Sequence, residues 1–191
     1  MKLEQTADGS YTLYVPELDE HYHSVKGALT ESQHIFIDMG LKHSSVPTPR
    51  ILEIGLGTGL NCFLTLLAAE ETERHIHYTG IECYPLSEEI VRQLDYPSII
   101  NRGHSDEYFA IHQSAWEKET MLSPWFTLRK LEGDFTNYTF DKGYDIIYFD
   151  AFAPEKQPEM WEQSLFDKLY HVLNEGGILT TYCAKGIVRR M

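Results

Sequence analysis

The 191-residue chain predicts an α/β fold: a mostly parallel twisted sheet with helices on both faces, plus a small N-terminal extension. Three observations carry that expectation. From Arg50 onward, short apolar runs alternate with helical segments, the β-α-β rhythm of a parallel sheet. A glycine cluster follows the first apolar run directly and precedes a helix. Residues 1–45 lack that rhythm and read as the extension, leaving 46–191 as the main unit.

In the extension, Asp8-Gly9 is a turn signal, and Ser10 to Val15 reads as half of a hairpin. A short helix is expected from Thr30 as N-cap, with an apolar stripe at Ile35, Phe36 and Met39 and an end near Gly40. Ser44 to Pro49 is a breaker-rich link. In the main unit, strands are expected at 51–54, 76–82, 125–131, 144–149 and 178–182. Helices are expected at 61–70, 86–94 after Pro85, and 160–173, the last stopped by Gly176-Gly177. The stretch between the second and third strands exceeds what one crossover helix needs. Its Tyr108, Phe109 and Trp116 suggest a cap over a pocket. The chain stops at Arg189-Arg190-Met191 on what reads as the start of a helix. A sheet ending on its fifth strand has an exposed edge, so further C-terminal strands are expected.

Composition narrows the function classes. Sixteen basic against 29 acidic residues give a net charge of −13, which disfavours a basic nucleic-acid module. The apolar fraction of 42% supplies a packed core and excludes a disordered chain. Three scattered cysteines make neither a disulfide framework nor a metal pair. No signal peptide or membrane span is evident, so a cytoplasmic protein is expected. His21-x-His23 and His75-x-His77 have no acid or cysteine partner at ligand spacing, and no metal is expected.

The strongest local signal is Glu53-x-Gly55-x-Gly57-x-Gly59 between a strand and a helix. Glycines let backbone approach a ligand, and the helix start offers free N–H groups. The nicotinamide fingerprint would place its third glycine at Leu60. The observed spacing instead resembles motif I of class I S-adenosylmethionine-dependent methyltransferases, a Rossmann-like fold. Glu82, closing the second strand, is a candidate acceptor for the hydroxyls of a ribose. Asp134, after the third strand, lies where that class places an acid near adenine. Asp150, after the fourth strand, faces the ligand crevice and is a candidate for handling the methyl acceptor. Phe152 offers a flat face for stacking a base.

The run Asp150-Ala151-Phe152-Ala153-Pro154-x-Lys156-x-Pro158-Glu159-Met160-Trp161 resembles the signature of one tRNA methyltransferase family. That family makes 5-methylaminomethyl-2-thiouridine at the wobble position. Asp19 to Ser24, Gly27, Glu31-Ser32 and Gly57 to Asn61 resemble it too. The resemblance implies methyl transfer from S-adenosylmethionine to the amine of 5-aminomethyl-2-thiouridine in tRNA. It implies Glu53, Gly55, Gly57, Gly59, Asn61, Glu82, Asp134 and Asp150 at the cofactor, and Asp150 and Phe152 at the reacting amine. Tyr22, Ser24, Glu31, Phe152, Pro154 and Lys156 are candidate substrate residues. Lys185, Arg189 and Arg190 are weaker candidates for tRNA phosphate. The flavin-dependent oxidase half found in bifunctional members is absent, so a separate oxidoreductase partner is expected to supply the aminomethyl group. Two other readings remain open at this level. Polyamine synthases share the glycine loop and both acids and also act on amines. A binding module could keep the fold without turnover.

Overall fold

The computed structural model describes residues 1–183. Lys185, Arg189 and Arg190 lie outside them.

The extension forms an antiparallel three-stranded sheet, β1 (Lys2–Gln5), β2 (Tyr11–Val15) and β3 (Glu20–His21). A helical stretch follows: α1 (Ala28–Ser32) continues into a π-helical segment at Gln33–Asp38. The helix starts at Ala28, earlier than the local N-cap signal at Thr30 implies. Its first turn is capped from a distance, since Asp8 accepts the Thr30 N–H at 2.9 Å. Thr30 is thus inside the helix and the capping carboxylate comes from the β1–β2 turn.

The main sheet has six strands: β4 (Arg50–Ile54), β5 (Ile76–Glu82), β6 (Glu119–Ser123), β7 (Phe126–Glu132), β8 (Tyr144–Phe149) and β9 (Leu173–Thr181). Their order is β6-β7-β5-β4-β8-β9, parallel throughout except for β6 against β7. β9 begins before the glycines expected to precede it. The pairing with β8 skips register between Tyr144 and Ile146, and Gly176 takes φ +74° there. The glycines form an irregularity inside a strand, not a helix stop.

Period-two alternation divides the core between the two faces. Ile51, Tyr78, Ile146 and Tyr148 face one side, against α2 (Leu60–Thr72) and the extension's Phe36 and Ile37. Leu52, Ile54, Ile147 and Phe149 face the other, against Trp161 and Leu169 of the segment ending in α6 (Gln163–Val172). The extension therefore shares a core with the main sheet. The remaining helices are α3 (Glu88–Leu94), α4 (Tyr96–Ile99) and α5 (Ser105–Gln113). Ser87 caps α3, so that helix starts after Leu86.

The long insertion between β5 and β7 corrects an expectation. It folds as α3, α4, α5 and the antiparallel strand β6, and apart from Cys83 and Tyr84 at its start its residues do not line the main cleft. Tyr108 is fully buried against Phe63 and Tyr96, and Trp116 packs over the Lys130 ammonium at 4.5 Å. The aromatics support the glycine loop from behind rather than capping a pocket. His112 Nε2 and the Tyr108 hydroxyl both approach the Thr58 carbonyl, at 3.2 and 3.5 Å.

Candidate active site

Chain order reverses between β4 and β8, so the loops leaving their carboxyl ends diverge and open a crevice. A cleft of about 490 Å³ occupies that place. Its walls include Gly55, Gly57 and Asn61 after β4, Glu82 to Tyr84 after β5, Asp134 to Thr136 after β7, and Asp150 to Phe152 after β8.

The glycine loop is tight because the two strand ends nearly touch. Gly55 has φ +86°, and a Cβ there would lie 2.8 Å from the Asp150 carbonyl oxygen. Asp150 N–H in turn donates to the Ile54 carbonyl at 3.0 Å. Gly57 N–H donates to Glu82 Oε2 at 2.8 Å, while Glu82 Oε1 accepts the Tyr84 N–H. Gly59 sits behind the loop, where a Cβ would collide with His112 Nε2 at 2.7 Å. Of the three loop glycines, Gly55 and Gly57 line the cleft and Gly59 does not.

Glu53 also departs from the expected placement. It is fully buried and does not line the cleft. Its side chain points to the α2 face of β4, where Tyr78 hydroxyl donates to Oε2 at 2.7 Å and Asn61 Nδ2 to Oε1 at 2.9 Å. Burial raises its pKa well above the usual carboxylate range. It acts on the cleft only through Asn61, whose same amide nitrogen donates to Asp150 Oδ2 at 2.8 Å.

Asp150 has a side chain only 10% exposed. Burial pushes its pKa up to about 7, the Asn61 hydrogen bond opposes that, and the charge of Glu31 adds to it. His23 reaches across from the extension, with Nε2 2.8 Å from Thr58 Oγ1 and Nδ1 4.0 Å from Asp150 Oδ2. Burial lowers the His23 pKa to about 4, so the ring is neutral. Asp134 forms its own turn, accepting from Thr136 N–H and hydroxyl at 2.8 and 2.7 Å, and the hydroxyl bond leads in holding its pKa low.

A second cavity of about 280 Å³ adjoins the cleft. Tyr22, His23, Ala151 and Phe152 line both. Tyr22 and Phe152 meet edge to face, 5.1 Å between centroids. Glu20, His21, Ser24, Val25, Glu31 and Tyr182 complete the second cavity. The Glu31 carboxylate is placed by the Ser24 N–H at 3.1 Å, and burial raises its pKa. Pro154 and Lys156 line neither space; Lys156 Nζ pairs with Asp19 at 3.4 Å, tying the extension to the loop after β8.

Trp161 fixes the loop that carries Phe152. Its Nε1–H donates to the Phe152 carbonyl at 2.8 Å, and it is 4% exposed. Trp161→Phe keeps the packing and deletes the bond, a loss of about 1 kcal/mol. The expected outcome is a rise of about fivefold in acceptor KM with kcat changed less than about twofold, read in steady-state kinetics.

The cleft fits S-adenosylmethionine. Leu56, Ile81, Phe135 and Leu165 give apolar walls for an adenine, Glu82 stands at the strand end for a diol, and the buried Asn61 Oδ1 has no hydrogen-bond partner. A family model described as an S-adenosyl-L-methionine-dependent methyltransferase matches residues 123–191. Over that segment the chain is similar to S-adenosylmethionine-dependent methyltransferases. It is similar to the tRNA 5-methylaminomethyl-2-thiouridine biosynthesis bifunctional protein MnmC of Pseudomonas savastanoi pv. phaseolicola (strain 1448A / Race 6), 30% identical over 189 residues. The protein of the same name from Marinomonas sp. (strain MWYL1) is 28% identical over 191 residues. Each match covers 91% of this chain and 28% of the relative. The chain thus spans little more than a quarter of these relatives' length. The crystal structure of MNMC2 from Aquifex Aeolicus superposes with a TM-score of 0.77 at 25% identity, covering 99% of this chain and 61% of that one.

Sequence reasoning missed His23, Thr58, Cys83, Met160 and Tyr182 as residues lining these spaces. His23 and Tyr182 are far from the glycine loop in the chain, and no local pattern joins them to it. Among the described residues, no helix is long and apolar enough to cross a membrane, and no group of His, Cys, Asp and Glu could hold a metal ion.

Proposed function

We propose that the methyltransferase converts 5-aminomethyl-2-thiouridine at the tRNA wobble position to 5-methylaminomethyl-2-thiouridine. The observation that carries this reading is the acidic second cavity joined to the cofactor cleft at Tyr22, His23, Ala151 and Phe152, with Asp150 lining the cleft beside Ala151. A cationic amine on a flat ring suits that cavity. Glu31 and Asp150 attract the ammonium, and Phe152 and Tyr22 offer aromatic faces to the base. The names of the relatives support the same product.

Bound in the cleft, S-adenosylmethionine supplies an electrophilic methyl group on a positively charged sulfur, a charge that disfavours an ammonium beside it. The rest falls to this chain. An ammonium has no lone pair and must lose a proton before attack. Asp150, with a pKa near 7, is a far better acceptor for that proton than an ordinary carboxylate. Asn61 holds one carboxylate oxygen, so the amine meets a fixed geometry. Phe152 stacks the extruded uracil. A net charge of −13 implies modest, salt-sensitive tRNA affinity, with Lys156 as a candidate phosphate contact. A separate oxidoreductase would supply the aminomethyl group, and a tRNA substrate places the reaction in the cytoplasm.

The test is transfer of labelled methyl from S-adenosylmethionine to tRNA carrying 5-aminomethyl-2-thiouridine, with fully modified tRNA as control. Label recovered as the methylaminomethyl nucleoside supports the proposal. No label, in protein shown to bind the cofactor, overturns it. The acidic cavity would also suit a free diamine, and an aminopropyl transferase would release methylthioadenosine instead of S-adenosylhomocysteine.

A further inference from the structure

His23 is a buried imidazole wedged between the cofactor loop and Asp150, on an extension that the parallel sheet does not need for its own pairing. Its backbone is pinned: His23 N–H donates to Thr12 Oγ1 at 2.9 Å, and the Thr12 hydroxyl returns a bond to the His23 carbonyl at 3.3 Å. Its ring is pinned at Nε2 by Thr58, 2.8 Å away. Thr58 Oγ1 also accepts the Leu60 N–H, at 3.4 Å, which favours its own proton pointing to His23. Nε2 is then the acceptor and Nδ1 carries the hydrogen. Nδ1 lies 4.0 Å from Asp150 Oδ2, the oxygen that Asn61 already holds. Among the described residues, no hydrogen bond ties Oδ1.

We infer that His23 is a positioning residue: its Nδ1–H, with Asn61, addresses Asp150 Oδ2 and leaves Oδ1 as the oxygen that receives the substrate ammonium. The 4.0 Å separation is too long for a hydrogen bond, so His23 acts on Asp150 as an oriented dipole. The same side chain lines both cavities, so it couples the glycine loop, through Thr58, to the acceptor wall. The inference rests on the amine-acceptor reading given above.

Several other groups bear on Asp150. Glu31 on α1 raises its pKa, and Glu53 on β4 interacts with it behind Asn61. Tyr182 after β9 and Tyr96 on α4 feel its charge, and both phenols are neutral. His23 is the group that can offer a donor from the extension side.

The experiment uses two variants of the full chain. Asn places its side-chain nitrogen near where His carries Nδ1, whereas Phe keeps the ring and offers no donor. His23→Phe is expected to move the acidic limb of the kcat/KM profile upward by about one pH unit. His23→Asn is expected to keep the limb within about 0.3 unit. A readout independent of turnover is the ¹⁵N shift of the His23 ring, which should report a neutral ring protonated at Nδ1, and Nδ1 protonation should weaken in Thr58→Val. A ring protonated at Nε2, or a limb that His23→Phe leaves in place, overturns the inference. If His23→Phe fails to fold, the ring shifts and Thr58→Val decide. Failure of the tRNA assay alone would leave the tautomer result standing, and so would count against the substrate and not against His23.

Discussion

Asp150→Asn is expected to lower methyl transfer by about 10²–10⁴-fold while changing cofactor affinity only a few-fold. The amide keeps the shape and still accepts from Asn61, so the loss isolates the charge and basicity of one group. In the unsubstituted enzyme, kcat/KM should rise about tenfold per pH unit below the Asp150 pKa near 7 and level above it. The variant should lose that limb. Stability should move the other way. Burial raises the folded pKa of Asp150 from 3.8 to about 7, so the folded state holds its proton more tightly than the unfolded chain. The associated stability is fully present below about pH 4 and is lost as pH rises through about 7. At pH 8 the native protein carries a buried charge costing on the order of 4 kcal/mol. The amide of the variant carries none. The variant should therefore melt above the native protein at pH 8 and match it near pH 4, in calorimetric scans across that window. Equal activity in the two proteins would remove Asp150 from the reaction. Equal melting at pH 8 would mean the carboxylate is not desolvated.

Gly55→Ala is expected to abolish measurable cofactor binding and to lower Tm by about 5–10 °C. Two costs add. An alanine at φ +86° is strained by about 1–3 kcal/mol. Its Cβ would also sit 2.8 Å from the Asp150 carbonyl oxygen, a backbone atom that cannot rotate away. Relief requires the end of β4 or the end of β8 to move, and either movement opens the cleft and displaces Asp150. Gly9→Ala is the matched control. It has the same φ of +86° and nothing within 4 Å of a new Cβ. It should show the dihedral cost alone, with cofactor binding unchanged by titration calorimetry. If the two variants bind alike, the close approach of the strand ends is not what shapes the cleft.

The order of strands and helices was legible because apolar periodicity and glycine position are properties of the chain itself. The runs 76–82 and 144–149 are strands at those limits. The pairing of the glycine loop with Asp150 also follows from the rule that crevices open where strand order reverses. Other features were not legible. The cap of α1 comes from Asp8 across the extension, so Thr30 misled as a local signal. The insertion's aromatics announced burial but not its direction, and they back the loop instead of covering a pocket.

Glu53 and His23 mark the boundary most clearly. Strand alternation assigns Glu53 to a face, yet which face meets the cleft depends on how α2 and the strands stack. The chain settles it through Tyr78 and Asn61, which turn an expected ligand residue into a buried support. His23 reads in sequence as one of two alternating histidines. Only the docking of the extension on the glycine loop brings it to Thr58 and Asp150. By itself, then, the sequence determined the α/β architecture, the glycine turn and the acids at the strand ends, because these depend on short-range patterns and on local backbone conformation. Which of those acids face the ligand, which stay neutral, and which distant side chains join them was decided by tertiary structure alone, because desolvation and hydrogen bonding between segments exist only once the segments have packed.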